Sequence, residues 1–193
     1  MKSYRCTICG EVFIGSKLPS ECPFCCVGER HIKRLDRVEG EDLFYVKNLS
    51  EDSRKNLIQA LNIETTNASF YKCASEKSES EGMRALFKRL AKIEREHADI
   101  IRKYLGLDPI EFLAEDCSEE DEENIEKAIL TTRETIKFYK EAGSIAREAK
   151  VSTLFRAVAE AEDSCLRLLR SFGVTVSKES EFVPPFLSRV RTR

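Results

Sequence analysis

Hydrophobic side chains recur at steps of three and four along most of this chain, which is the spacing of one face of an α-helix. Four stretches show this pattern, and they cover about residues 50–77, 80–105, 122–149 and 152–172. Ser50 is a suitable N-cap for the first stretch, and Gly173 is a suitable stop after the last. The periodicity therefore predicts a mainly α protein with a four-helix bundle over residues 50–173.

Each predicted helix carries a glutamate inside its apolar face, and two of these are followed three residues later by a second metal-ligating side chain. The glutamates are Glu64, Glu94, Glu134 and Glu162, and the second groups are His97 and Cys165. In the third helix, Glu134 is predicted to share the buried face with Leu130 and Phe138. An unpaired carboxylate is too costly to keep charged in a core. A bound cation would explain why four carboxylates converge in the core. The pattern predicts a metal centre inside the bundle.

Residues 1–36 differ from the rest because they hold two C-x-x-C pairs separated by twelve residues. Four thiolates form a tetrahedral site that suits iron or zinc. The ligands predicted are Cys6, Cys9, Cys22 and Cys25. Either a structural zinc site or a one-iron electron-transfer centre fits them. Residues 37–49 are predicted to be a linker, and residues 174–193 a tail whose apolar side chains dock on the bundle.

Composition narrows the class of protein. Charged residues make up 34% of the 193 residues, and the formal net charge of −2 argues against nucleic-acid binding. Neither a signal peptide nor a membrane span is indicated, so we expect a cytoplasmic protein with reduced thiols. Cys26 is then expected to be a spare thiol, and Cys73 and Cys117 are expected to be unpaired. No dinucleotide fingerprint is present, so nicotinamide electrons would arrive only through a separate protein.

Several motifs resemble those of rubrerythrins. Cys6-x-x-Cys9-Gly and Cys22-Pro-x-Cys25 look like the short rubredoxin module of that family. The segment 50–64, the Glu94-x-x-His97 pair and the segment 139–148 resemble its ferritin-like domain. The chain is identified as a rubrerythrin relative, with a small rubredoxin-like module placed before a ferritin-like four-helix bundle.

The resemblance implies a non-haem iron peroxidase that reduces hydrogen peroxide. Iron in the four-cysteine site, where zinc is also possible, would pass electrons to one or two iron ions, or another transition metal, in the bundle. The implied bundle ligands are Glu64, Glu94, His97, Glu134 and Glu162, with Tyr71 and Tyr139 beside the metals. Electrons often cross a dimer in this family, so a homodimer or higher oligomer and a redox protein as electron donor are expected. No membrane partner is expected.

Two positions depart from the family. The second Glu-x-x-His ends in Cys165, and the helix-three glutamate pair reads Thr131 and Glu134. One metal would keep its ligands, whereas the other position would be empty, weakly filled or bound by Cys165, unless Cys165 is only a small buried hydrophobe. The alternative function is a metal-binding or redox-sensing relative without peroxidase turnover, with zinc in the four-cysteine site and Cys165 as the responsive thiol.

Overall fold

The computed structural model describes residues 1–38 and 42–172. Four helices form a ferritin-like bundle: α1 (Glu51–Lys77), α2 (Glu81–Leu105), α3 (Asp121–Ile145) and α4 (Ala149–Arg170). α1 packs mainly on α2, and α3 packs mainly on α4. This confirms the predicted fold class. No helix in the described part is long and apolar enough to cross a membrane. The predicted tail, 174–193, and Gly173 lie outside the described residues.

Local sequence determines where the first two helices begin and end. The side chains of Ser50 and Ser80 accept hydrogen bonds from the backbone N–H groups of Ser53 and Met83, which caps α1 and α2. Gly106 ends α2 in a left-handed conformation with φ of 67°, which costs glycine little. Both helices therefore have the bounds that the sequence predicted, to within one residue.

The junction between α3 and α4 differs from the prediction. α3 ends at Ile145 and α4 begins at Ala149, whereas the third helix was predicted to extend to about residue 149 and the fourth to begin at about residue 152. Glu148, just before α4, accepts hydrogen bonds from Ser50 N (2.6 Å) and Ser53 Oγ (2.5 Å). These bonds tie the start of α4 to the start of α1. They fix the turn at a place that hydrophobic periodicity does not mark.

The predicted register of α3 was wrong. The prediction placed Leu130, Glu134 and Phe138 on the buried face, but all three are only partly buried. The face that enters the core instead runs through Ile125, Ala128, Thr132, Thr135, Tyr139 and Ala142. Threonines are counted as polar when periodicity is read, although their methyl groups pack well. Hydrophobic periodicity therefore could not identify the buried face of α3.

A three-stranded antiparallel sheet precedes the bundle, with β1 (Lys2–Cys6) between β2 (Val12–Gly15) and β3 (Ile32–Arg34). It carries the first of the two C-x-x-C turns. The buried core of this module is continuous with bundle side chains of α1, α2, α3 and α4. Within one chain, the small module is therefore packed directly against the bundle.

The crossover between α2 and α3, residues 107–120, contains no helix or strand. Cys117 in this segment forms a disulfide with Cys73 in α1, and their Cα atoms are 5.9 Å apart. The prediction that these two cysteines are unpaired was therefore wrong. Sequence could not show the bond because the partners are 44 positions apart and no motif joins them.

Candidate metal centres

Three carboxylates and one imidazole converge inside the bundle. Their ligand atoms all lie within 4.8 Å of one another, and α1, α2 and α4 supply them. None of the four side chains exposes more than 1% of its surface. The group consists of Glu64, Glu94, His97 and Glu162. Four of the predicted bundle ligands are thus brought together. Cys165 and Glu134 are not part of this group.

The arrangement leaves several polar atoms without a partner. The Nδ1 atom of His97 is 3.3 Å from Glu162 Oε1 and 3.5 Å from Glu64 Oε2, but neither contact has hydrogen-bond geometry. Both Glu162 oxygens and one oxygen each of Glu64 and Glu94 also lack a hydrogen-bond partner. Buried polar atoms are normally satisfied. A cation bound among these oxygens and the imidazole nitrogen would satisfy them, so the residues fit a metal ion.

The pKa values of these groups show how closely the charges are packed. Burial, followed by the charges of Glu162 and Glu64, raises the pKa of Glu94 well above its ordinary value. Burial alone would lower the pKa of His97, but the carboxylates of Glu162 and Glu64 outweigh it and raise the pKa well above normal. Without a metal, protons on Glu94 and His97 therefore offset the negative charge.

Two buried tyrosines, Tyr71 and Tyr139, border the carboxylates of the bundle. The hydroxyl of Tyr139 donates a hydrogen bond to Glu64 Oε1. The hydroxyl of Tyr71 lies 3.5 Å from that of Thr132 on α3. Burial raises the pKa of both tyrosines well above the ordinary value, and nearby carboxylates add to the effect. Both hydroxyls therefore keep their protons and can act as hydrogen-bond donors.

α3 presents hydroxyl groups where a ligand from Glu134 was predicted. Tyr139 faces Glu64, and in a regular helix a residue five positions away points about 140° from it. Glu134 is therefore turned away from the centre. Thr132 and Thr135 lie on the face of Tyr139, and the Thr135 hydroxyl is fully buried without a hydrogen-bond partner. The position of Tyr139, with steps of three and four counted back from it, was the signal that could have identified them.

Cys165 lies one turn after Glu162 on α4 and exposes 5% of its surface. Burial raises the pKa of its thiol well above the ordinary value, and the charge of Glu162 adds to this. It is a buried thiol next to Glu162, and its raised pKa favours the protonated form. Its predicted role as a ligand remains a hypothesis.

The second centre consists of the four cysteines of the N-terminal module. Their sulfur atoms form a compact buried group, with 3.8 Å between Cys6 and Cys25 and 3.8 Å between Cys9 and Cys22. A tetrahedral metal with bonds to sulfur of about 2.3 Å has sulfur–sulfur edges of about 3.8 Å. The four thiols are therefore spaced for a tetrahedral ion.

The two C-x-x-C turns are built alike. A residue with positive φ follows each of them, Gly10 at 84° and Cys26 at 58°. The position of Cys26 is one that glycine occupies more easily. Its sulfur accepts a hydrogen bond from Arg89 of α2 (3.4 Å), and Arg89 also donates to the carbonyl of Pro23 (2.7 Å). Cys26 thus fastens the second turn to the bundle and lies outside the four-sulfur group.

A single hydrogen bond connects the two centres. His97 Nε2 donates to the carbonyl oxygen of Cys25 over 2.9 Å, and both groups are buried. The other nitrogen of the same ring faces the carboxylates of the bundle. The imidazole therefore touches the backbone of one candidate metal ligand in the small module and the interior of the bundle centre.

A helical bundle with a buried carboxylate–histidine centre, joined to a small four-cysteine module, defines a ferritin-like metalloprotein with two candidate metal centres. The sequence model of the family described as Rubrerythrin matches residues 55–173. This match covers more than half of the chain, which therefore belongs to the rubrerythrin family.

The chain is also similar to reverse rubrerythrin-1 of Clostridium acetobutylicum. The two are 26% identical over an alignment of 114 residues, and the alignment covers 55% of this chain and 63% of the relative. The match thus spans less than two thirds of that relative's length. No solved structure matches the chain.

Proposed function

We propose that this protein reduces hydrogen peroxide to water, with electrons passing from the four-cysteine centre to a metal held in the bundle. The observation that carries the proposal is the hydrogen bond between His97 Nε2 and the Cys25 carbonyl. It connects a candidate ligand of one centre to a candidate ligand of the other. A bundle that only stored or sensed a metal would not need such a connection.

The proposed electron path runs inside one chain. It leads from the sulfur of Cys25 through its own backbone carbonyl, across the hydrogen bond of 2.9 Å, and through the His97 ring to Nδ1. The family resemblance led us to expect transfer across a dimer, and this path does not require one. A homo-oligomer and a separate redox protein that reduces the four-cysteine centre remain part of the proposal.

The side chains of the bundle would bind the metal and control protons. A bound iron ion would supply electrons for breaking the peroxide O–O bond. Reduction of one peroxide to two water molecules consumes two electrons and two protons. Tyr71 and Tyr139 keep their hydroxyl protons and can donate hydrogen bonds next to the carboxylates. The fully buried site limits the access of bulk water.

We further propose that the bundle holds one tightly bound metal. Three carboxylates and one imidazole come from α1, α2 and α4, which is enough for a single ion. Within residues 1–38 and 42–172, α3 adds no acidic side chain to this group. A second ion would meet the hydroxyls of Thr132 and Thr135 and the protonated thiol of Cys165, which are poor ligands without deprotonation.

The test begins with anaerobically purified protein, metal analysis and a visible spectrum. Iron in the four-cysteine site gives a red ferric protein, whereas zinc gives a colourless one. The dithionite-reduced protein is then mixed with peroxide or dioxygen in a stopped-flow instrument. We expect the ferric thiolate absorbance to return much faster with peroxide. Glu94→Ala should abolish that reoxidation.

Glu134→Ala is the matched control, because this glutamate lies on α3 but outside the buried group. It should react with peroxide like the unsubstituted protein. A reduced protein that does not respond to peroxide, or a Glu94→Ala variant that reacts normally, would overturn the proposal.

The second candidate function is metal binding or redox sensing without turnover. It is favoured by Thr131, which stands where the family resemblance implies a glutamate, and by the hydroxyl side chains of Thr132 and Thr135 on the buried face of α3. Cys165 is a weak candidate for the responsive thiol, because its raised pKa disfavours the reactive thiolate. Zinc in the four-cysteine site together with a peroxide-insensitive bundle would support this function.

A further inference from the structure

The disulfide between Cys73 and Cys117 stands apart from the other six cysteines, which are free. All eight cysteines lie in the described part of the chain. Four of the free thiols form the cysteine centre and must be reduced before they can bind a metal. Where those thiols stay reduced, the Cys73 and Cys117 pair becomes oxidised only if its own reduction potential and an oxidant that reaches it allow this. The bond therefore requires an oxidant.

The bond fastens the crossover, residues 107–120, to α1. The middle of this segment covers the bundle loosely, because three clefts of about 370, 490 and 250 Å³ lie between it and α1 or α2. Ile110 lines all three clefts. Phe112 lies 4.2 Å under the guanidinium group of Arg95, and Leu113 exposes 69% of its surface. Before Cys117, the segment is thus held by the packing of Ile110 and Phe112 and by a hydrogen bond from Arg102 to the Leu107 carbonyl, with open space beside these contacts.

Contacts beside Cys117 do not depend on the disulfide. Lys77 Nζ donates to the carbonyl oxygen of Cys117 (3.1 Å) and pairs with Glu119 (2.7 Å). Ser118 and Asn124 exchange two hydrogen bonds of 3.0 Å at the start of α3. These contacts would hold the two thiols near each other after reduction. Breakage and re-formation of the bond are therefore compatible with the fold.

We propose that Cys73 and Cys117 are a redox-active pair that hydrogen peroxide oxidises to the disulfide and a dithiol reductant restores. One thiol, as its thiolate, attacks a peroxide oxygen, which breaks the O–O bond, forms a sulfenic acid and releases one water after protonation. The second thiol attacks that sulfur, which forms the S–S bond and releases another water. Two thiols lose two electrons and one peroxide gains them. Exchange with a dithiol reverses the change.

The redox state of the pair would determine whether the crossover is covalently joined to α1. In the oxidised form the bond holds the segment over the α1–α2 face. In the reduced form this covalent link is absent and residues 107–115 are held by noncovalent contacts alone, so local opening becomes more frequent. This inference does not depend on the reaction at the bundle metals, because its reactants are the two thiols and peroxide.

The first experiment follows the thiols directly. Metal-loaded protein is treated with a dithiol, desalted anaerobically and mixed with several equivalents of peroxide, enough to reoxidise its metals as well as the two thiols. The remaining thiols are then alkylated and located by mass spectrometry. We expect protection of Cys73 and Cys117 together, and recovery of both after fresh dithiol is added. Cys26→Ser should retain the bond. Alkylation of both residues after peroxide, or a bond that dithiol does not reverse, would overturn the proposal.

The second experiment follows the crossover. A glutamate-specific protease should cleave after Glu111, and chymotrypsin after Leu113, severalfold faster in the reduced protein than in the oxidised protein. Under both conditions, Cys73→Ser and Cys117→Ser should be cleaved as fast as the reduced form of the unsubstituted protein. These variants should be reoxidised normally at the bundle metals, so failure of the two proposals can be distinguished. Equal cleavage in both redox states would contradict the fastening role.

Discussion

At the scale of single residues, the bundle centre is governed by repulsion among three buried carboxylates. Glu94 and His97 take up protons in the metal-free protein because each has a pKa well above its ordinary value. A metal ion would replace those protons with its own charge. Metal binding and proton release are therefore coupled at these two side chains.

Metal binding to the bundle should strengthen as the pH rises. The protonated forms of Glu94 and His97 do not bind a metal, and a raised pKa keeps those forms populated to higher pH. Each displaced proton should change the apparent affinity by about tenfold per pH unit in the range below the raised pKa values. Calorimetry in buffers with different ionisation enthalpies counts the released protons. Binding without proton release would contradict the assignment.

Among the elements, α3 shows where sequence reasoning succeeds and where it fails. The existence of the four helices follows from hydrophobic steps of three and four. The convergence of Glu64, Glu94, His97 and Glu162 follows from the same steps on α1, α2 and α4. On α3, threonines are buried while the more hydrophobic Leu130 and Phe138 are only half-buried. The buried face predicted from the hydrophobic pattern was therefore the wrong one.

The register of α3 can be tested by adding ligands. Thr135→Glu with Cys165→His places a carboxylate and an imidazole where the structure has a buried hydroxyl and a thiol. We expect bundle metal to rise from about one ion toward two per chain. Thr131→Glu with Cys165→His, the pair that the family resemblance suggests, should gain less. Metal analysis distinguishes them, and a larger gain for the Thr131 variant would contradict the observed register.

The junction of α1 and α4 should contribute to stability through Glu148. Burial would raise the pKa of this carboxylate, but hydrogen bonds from Ser53 and Ser50 hold it at about 2, below its ordinary value of 4.5. A lowered pKa in the folded state stabilises the protein above pH 4.5, and that stabilisation disappears as the pH falls toward 2.

Glu148→Gln should therefore reduce the free energy of unfolding at neutral pH by about 1–2 kcal/mol, because two hydrogen bonds lose a charged acceptor. The difference from the unsubstituted protein should shrink below pH 4.5. Urea unfolding at several pH values measures this. Glu141→Gln, at an exposed position of α3, is the control and should have little effect. An equal loss in both variants would exclude the hydrogen bonds as the cause.

For the molecule as a whole, the small module and the bundle are one packed unit with a shared core. The sequence predicted both parts but not their contact. His97 bonds to the backbone carbonyl of Cys25, and every residue has such a carbonyl, so no sequence motif marks it. The disulfide was missed for a similar reason, since its two cysteines meet only in the folded chain.

Cys9→Ser should release the module metal and disorder residues 1–36 while the helices remain folded. The bundle should then bind its metal about 10–100-fold more weakly, because His97 loses the hydrogen-bond acceptor that orients its ring. Circular dichroism, chemical-shift dispersion and metal titration measure the three effects. Cys26→Ser, which keeps all four sulfur ligands, is the control. Unchanged bundle affinity in a variant with a disordered module would show that the contact does not orient the histidine.

The hydrogen bond from His97 to Cys25 also has a consequence for maturation of the protein. Thermodynamic coupling is reciprocal, so if metal in the module strengthens metal binding in the bundle, the bundle metal strengthens the module site by the same factor. Chains would then tend to carry both metals or neither. Under the proposed function, a chain with only the bundle metal could react with peroxide once but could not be re-reduced. The coupling through His97 would make such half-loaded chains rare.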